Sequence, residues 1–178
     1  MAETKLRKFT VQEKLNKMDI DLIDVTVVPD NANGGAMDVG DFMFPMVEIE
    51  NAVSVPGGTA ILQSCCAIVS PMIAGAFDIV ITNDSTTLGH GGGDVVDDDD
   101  VAGIDSALAV MDGTCGFFSL TNGFDAGVVA LADKKNIGLV CKAAAGSTSL
   151  YVWGIVQNTG DYTGDVGSTV LRLGFVKD

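Results

Sequence analysis

The residue types that could do chemistry in this chain are few: one histidine, His90; four cysteines, Cys65, Cys66, Cys115 and Cys141; and an aspartate group, Asp94 with Asp97, Asp98, Asp99 and Asp100. A general base must be held within hydrogen-bond reach of the proton it takes. His90 stands in Gly89-His90-Gly91-Gly92-Gly93, and glycine on both sides leaves the backbone too free to hold a ring in one geometry. It reads as the solvated tip of a loop. The same glycines do not spell a phosphate or dinucleotide cradle, because Asp94 occupies the last glycine position of GxGxxG and no GK[ST] follows. No G-x-S-x-G elbow occurs either.

The aspartates offer hard oxygen donors of the kind calcium takes, but their spacing is not that of an EF-hand loop. Carboxylates that repel one another and stay in water are the commoner outcome of such a run, so no metal is expected. The cysteines lack CxxC spacing, and a chain of 178 residues is too long to need disulfide staples. They read as buried thiols. Adjacent Cys65 and Cys66 on a strand point to opposite faces and cannot bridge each other. No catalytic residue and no cofactor are predicted, and the chain reads as a non-enzyme.

Charge adds a division. The net charge is -14, yet Lys5, Arg7, Lys8, Lys14 and Lys17 lie within residues 1–17 against only Glu3 and Glu13. That leaves 22 acidic and 5 basic side chains in the remaining 161 residues, a formal -17 behind an arm of +3. A body of that sign repels phosphate backbones, so nucleic acid is not an expected partner. The arm suits an acidic partner, and its alternative is a solvated helix of mixed charge. The apolar run around residues 67–76 is broken by Ser70, Pro71 and Gly75 and falls short of the roughly 20 residues that span a bilayer. Residues 1–18 lack the apolar stretch of a secretory signal. No membrane association is expected, and the chain reads as a cytoplasmic product.

The elements that position these residues read as strands. Hydrophobic residues make up 47% of the chain and charged ones 19%, enough to build a core, and 22 glycines spread along it favour many tight turns. Apolar segments of strand length recur between turn signals, predicting about eight strands at 42–50, 59–70, 77–83, 114–120, 128–131, 137–142, 150–157 and 170–176. The breakers include Pro56-Gly57-Gly58, Asn122-Gly123, Lys134-Lys135-Asn136 and Gly146-Ser147. Thr10 with Glu13 forms a capping box, and Val11, Leu15, Met18 and Leu22 repeat at helical spacing, predicting a short N-terminal helix. From 19 to 28 the pattern is ambiguous, with Ile20 and Leu22 alternating with acids. A second short helix is expected after the aspartates, capped by Asp100, with Ile104, Ala107 and Leu108 on one face. The reading is an all-β antiparallel sandwich over residues 47–178 behind an arm and linker at 1–46.

The segment at 150–156 is apolar on both faces, with Tyr151, Trp153 and Ile155 opposite Leu150, Val152 and Val156. Such a strand is central or covered by a second surface. An oligomer interface and an intrachain loop both supply that cover.

Five segments in order, Gly57-Gly58-Thr59-Ala60-Ile61-Leu62, Phe77-Asp78-Ile79-Val80-Ile81-Thr82, Lys135-Asn136-Ile137-Gly138-Leu139, Ala145-Gly146-Ser147-Thr148-Ser149-Leu150-Tyr151-Val152 and Leu171-Arg172-Leu173-Gly174-Phe175, resemble a group of small virion proteins of tailed bacteriophages. The resemblance covers roughly residues 47–178. It implies a jelly-roll sandwich and a decoration or cement role on the outer surface of a phage head, with the major capsid protein as partner and a homotrimer as the assembly. The arm before Val47 and the insertion at 89–100 depart from the group's pattern. On this reading the contact residues are Lys5, Arg7, Lys8, Lys14, Lys17, Tyr151 and Trp153, and the protein resides on the virion after synthesis in the host cytoplasm. The alternatives are a tail, neck or fibre component, or a carbohydrate-binding module, for which one Trp and two Tyr are a thin supply of stacking aromatics.

Overall fold

Strand alternation sets the two layers. In the last strand Leu171, Leu173 and Phe175 are buried while Arg172 is exposed, the division that a half-buried strand requires. The computed structural model describes residues 20–28, 42–69, 76–83, 113–121, 124–125, 130–157 and 169–177. Among them are nine strands and no helix: β1 Ile20–Val27, β2 Phe42–Ile49, β3 Thr59–Val69, β4 Ala76–Thr82, β5 Thr114–Thr121, β6 Phe124–Asp125, β7 Ala130–Lys142, β8 Leu150–Val156 and β9 Thr169–Lys177.

They form a five-stranded sheet in the order β1-β9-β3-β7-β6 and a four-stranded sheet in the order β2-β8-β4-β5. All pairings are antiparallel. β1 pairs with β9, β2 with β8, β3 with β7 and β4 with β5. These pairs are nested, as though one long hairpin had been closed at β4–β5 and then rolled so that β3 meets β9 and β4 meets β8. That is the jelly-roll connection. One core fills the space between the sheets: Phe44, Phe77, Ile79, Ile81, Leu120 and Leu150 from one, and Val27, Leu62, Leu171, Leu173 and Phe175 from the other, are fully buried. Each such side chain contributes about 1.5–3 kcal/mol.

Three segments differ from the sequence expectation. Leu22, expected to close a helical repeat, lies in β1, which pairs with β9 along its whole length; the alternation of Ile23, Val25 and Val27 toward the core outweighs local helical spacing. Strand β1 and the first residues of β2 therefore belong to the sandwich, although they fall in the segment read as arm and linker. The strands expected at 128–131 and 137–142 are one strand, β7. Leu62 faces Leu139 and Ser64 faces Lys135, so Asn136, Ile137 and Gly138 stand opposite the single residue Gln63. Asn136 has φ 57° and Gly138 φ 68°, left-handed positions that Asn and Gly tolerate. The Lys134-Lys135-Asn136 breaker thus makes a bulge instead of a turn. Residues 10–19 of the expected N-terminal helix, and the helix expected after Asp100, lie outside the described residues. Among the described residues no helix is long and apolar enough to cross a membrane.

Candidate functional site

The outer wall of the five-stranded sheet carries an ordered pattern built by the strand register. Ile20 faces Val176, Val176 faces Ile61, and Ile61 faces Val140. Four β-branched side chains from four strands form one row, roughly 14 Å across at strand spacing. Its two ends are open: Ile20 is 52% exposed and Val140 62%. Leu22, beside Ile20 on the same face, is 64% exposed.

Four residues further along β1 and β9 the pattern becomes polar. Asp24 faces Arg172, Arg172 faces Cys66, and Cys66 faces Asp133. Arg172 donates two hydrogen bonds of 2.8 Å to Asp24, and Lys135 lies 3.3 Å from Asp133. Beyond this charged row Val170, Ile68 and Leu131 form a second apolar row. A charged row thus divides two apolar rows on this wall.

A groove of about 430 Å³ crosses this wall, lined by Leu22, Ser64, Cys66, Leu131, Lys135 and Arg172, among others. Burial, and then the charge of Asp133, pushes the Cys66 thiol up, and burial does the same more strongly to Cys65 behind it. Thiols held protonated are poor nucleophiles, so the groove can seat a side chain but is not set up for covalent chemistry.

The outer wall of the four-stranded sheet is also apolar. Trp153 faces Val80, Val80 faces Phe117, and Met46 and Ile155 pack against the first two. Trp153 is only 5% exposed, whereas Phe117 on the edge strand β5 is 68% exposed. Strand β8 is therefore apolar on both faces as its sequence requires, and Trp153 finds its cover within a single chain.

Of the residues expected to make contacts, Tyr151 is half-buried on β8 and Trp153 is buried. Lys5, Arg7, Lys8, Lys14 and Lys17 lie outside the described residues, as do His90 and the aspartates at 94 and 97–100. Among the described residues no group of three or more His, Cys, Asp or Glu side chains is placed to hold a metal ion. Sequence reasoning missed Ile20, Leu22, Val140 and Phe117. Alternation in 20–27 held the signal for the first two; Val140 and Phe117 were hidden because their outward direction depends on the bulges beside them.

No family model matches the chain, and no curated protein matches it. Among solved structures it is similar to one from Desmodium yellow mottle tymovirus, over 88% of this chain and 85% of that one, at 8% identity and a TM-score of 0.27. The jelly-roll assignment rests on the strand pairing of this chain and not on that likeness.

Proposed function

We propose that the chain is a non-enzymatic structural protein of a bacteriophage particle, a decoration protein that binds the outer surface of the head and stabilises it. Jelly rolls serve unrelated roles, including capsid and lectin domains, so the fold alone does not choose among them. The observation that carries the reading is the exposed row Ile20–Val176–Ile61–Val140 on a rigid sheet wall, in a chain whose ordered segments resemble phage virion proteins. The row docks on the major capsid protein or on a neighbouring copy in a homotrimer, and the +3 arm reaches an acidic partner while the acidic body faces solvent. A stable contact buries about 1,200–2,000 Å² in total, and repetition over a lattice multiplies modest affinities through effective concentration.

Immunogold microscopy of phage particles from a producing lysate, with antibody raised against the purified chain, tests this. Label spread over the head supports the decoration role. Label confined to the tail or neck replaces it with the tail reading, and particles without label remove the virion assignment. Loss of head binding in Val140→Lys, with Tm unchanged, assigns the contact to the row. Full binding after removal of residues 1–17 takes the arm out of it.

A further inference from the structure

Charge on the body is one-sided. Its five basic residues, Lys134, Lys135, Lys142, Arg172 and Lys177, all stand on β7 and β9. The strands of the four-stranded sheet carry Glu48 and Asp78 and no cation. A chain of net charge -14 thus keeps the cations of its body on one sheet. Three of them, Lys134, Lys135 and Arg172, line the groove on the outer wall against one carboxylate, Asp133.

The strand register explains why a groove lies there. Leu22 faces Gly174, Gly174 faces Ser64 and Ser64 faces Lys135. A row that begins with a large apolar side chain and ends with a long cationic one therefore has two small residues between them. A Cβ on Gly174 would press on Ser64 and lie 3.1 Å from Ile20 Cγ2 and 3.5 Å from Leu22 Cδ2, so glycine keeps the floor low where any other residue would begin to fill it. The cations keep donors beyond their pairs within the chain. Arg172 binds Asp24 through Nε and Nη2, which leaves the Nη1 donors outside that pair. Lys135 is 79% exposed at 3.3 Å from Asp133, and Lys134 is exposed. The apolar rows through Val176 and Val170 flank the groove along β9, roughly 20 Å apart at strand rise.

On the reading of this wall as a contact surface, we propose that the groove docks an extended acidic segment of a partner polypeptide. An apolar side chain of the segment seats over Gly174 and Ser64 beside Leu22, and a neighbouring carboxylate meets Lys134, Lys135 and Arg172. About seven extended residues reach from one apolar row to the other. Charge complementarity selects this occupant: the wall is the cationic side of an acidic body, and its cations lie between apolar rows. A long polyphosphate is repelled by the body as a whole, whereas a carboxylate between apolar side chains matches both parts of the wall.

Panning a random dodecapeptide library against the immobilised full chain tests this. Enriched peptides are expected to carry Asp or Glu close to Leu, Ile or Phe. The most enriched peptide, titrated by fluorescence anisotropy, is expected to bind the unmutated chain and to lose about tenfold in affinity for the Lys134→Glu/Lys135→Glu variant. Replacing its carboxylates by amides should cost a similar factor. Methyl NMR of the unmutated chain gives a readout that needs no variant, with shifts expected at Leu22 and Leu131. No enriched sequence, enrichment without acidic residues, affinity indifferent to the charge reversal, or shifts confined to Val80 and Ile155 on the other wall each overturns the proposal. Self-association of the chain that the charge reversal abolishes replaces the acidic peptide by a second copy. Antibody labelling keeps the wider reading separate: acidic enrichment with unlabelled particles upholds the groove and removes the virion role, and labelled heads without acidic enrichment do the reverse.

Discussion

Arg172 of β9 holds Asp24 of β1 by two parallel hydrogen bonds of 2.8 Å, and the two residues are direct cross-strand partners. A bidentate pair at that position fixes the register of an edge strand that has only one neighbour in the sheet. Lys177, 2.8 Å from Asp21, repeats the link near the start of β1. A one-residue slip of β1 would carry Val25 and Val27 out of the core and break both ion pairs.

The Arg172 hydrogen bonds hold the Asp24 carboxyl below its ordinary 3.8. A carboxylate with a depressed folded pKa stabilises the fold above its unfolded pKa, and that contribution is lost as pH falls through the folded value. Asp24→Asn is therefore expected to melt below the unmutated chain at pH 7. The gap should narrow once pH drops under about 3.8 and close below the depressed value. Thermal melts of both proteins from pH 7 to pH 2 measure it; a gap independent of pH contradicts the assignment. Because both side chains are about half exposed, the effect should also shrink in high salt.

Gly154 of β8 is a packing requirement. A Cβ there meets the ring of fully buried Phe44, with Cζ at 2.9 Å. The ring cannot move aside without displacing the core between the sheets, so Gly154→Ala is expected to cost about 1–3 kcal/mol through overpacking. Urea denaturation measures the loss as a lower midpoint at unchanged slope. Phe44→Leu in the same chain should recover part of it, and failure of the pair to couple would locate the strain elsewhere.

The bulge on β7 separates backbone from packing effects. Nothing lies within 4 Å of a Cβ placed on Gly138, which sits at φ 68°. Gly138→Ala is expected to cost about 1 kcal/mol from the left-handed backbone alone. Asn136→Gly, at φ 57°, should be neutral or slightly stabilising, whereas Asn136→Val should cost more than Gly138→Ala because a β-branched residue fits that region worst. Equilibrium unfolding of the three variants tests the ranking.

The same bulge shows where sequence reading reached its limit. Lys134-Lys135-Asn136 and Gly138 mark a real change in backbone direction, but a left-handed residue serves a turn or a bulge equally well, and only pairing with β3 decides between them. On β3 the phase of burial slips by one at Gln63, with Ala60 and Leu62 buried before it and Cys65 and Ala67 after it; strict alternation through the segment therefore misplaces one half. β8 was legible because its two apolar faces need no register. β1 was not, because residues 20–27 satisfy a weak helical and a weak strand pattern together, and the choice is made by β9, about 150 residues away in the chain. The outward row Ile20–Val176–Ile61–Val140 joins four such strands, so it could not be read from any one segment.

Trp153, the only tryptophan, separates two sources of cover for the outer face of β8. Expected from sequence as a contact residue, it is 5% exposed in one chain, packed beside Val80. Its emission is therefore expected to be blue-shifted, weakly quenched by iodide and unchanged on dilution from micromolar to nanomolar protein. Trp153→Ala should cost about 3–5 kcal/mol, because it empties a site whose walls are already fixed. A red shift on dilution, matched by a fall in mass on light scattering, would mean that a second copy supplies the cover. The contact between copies would then lie on the four-stranded wall and leave the row on the opposite wall free.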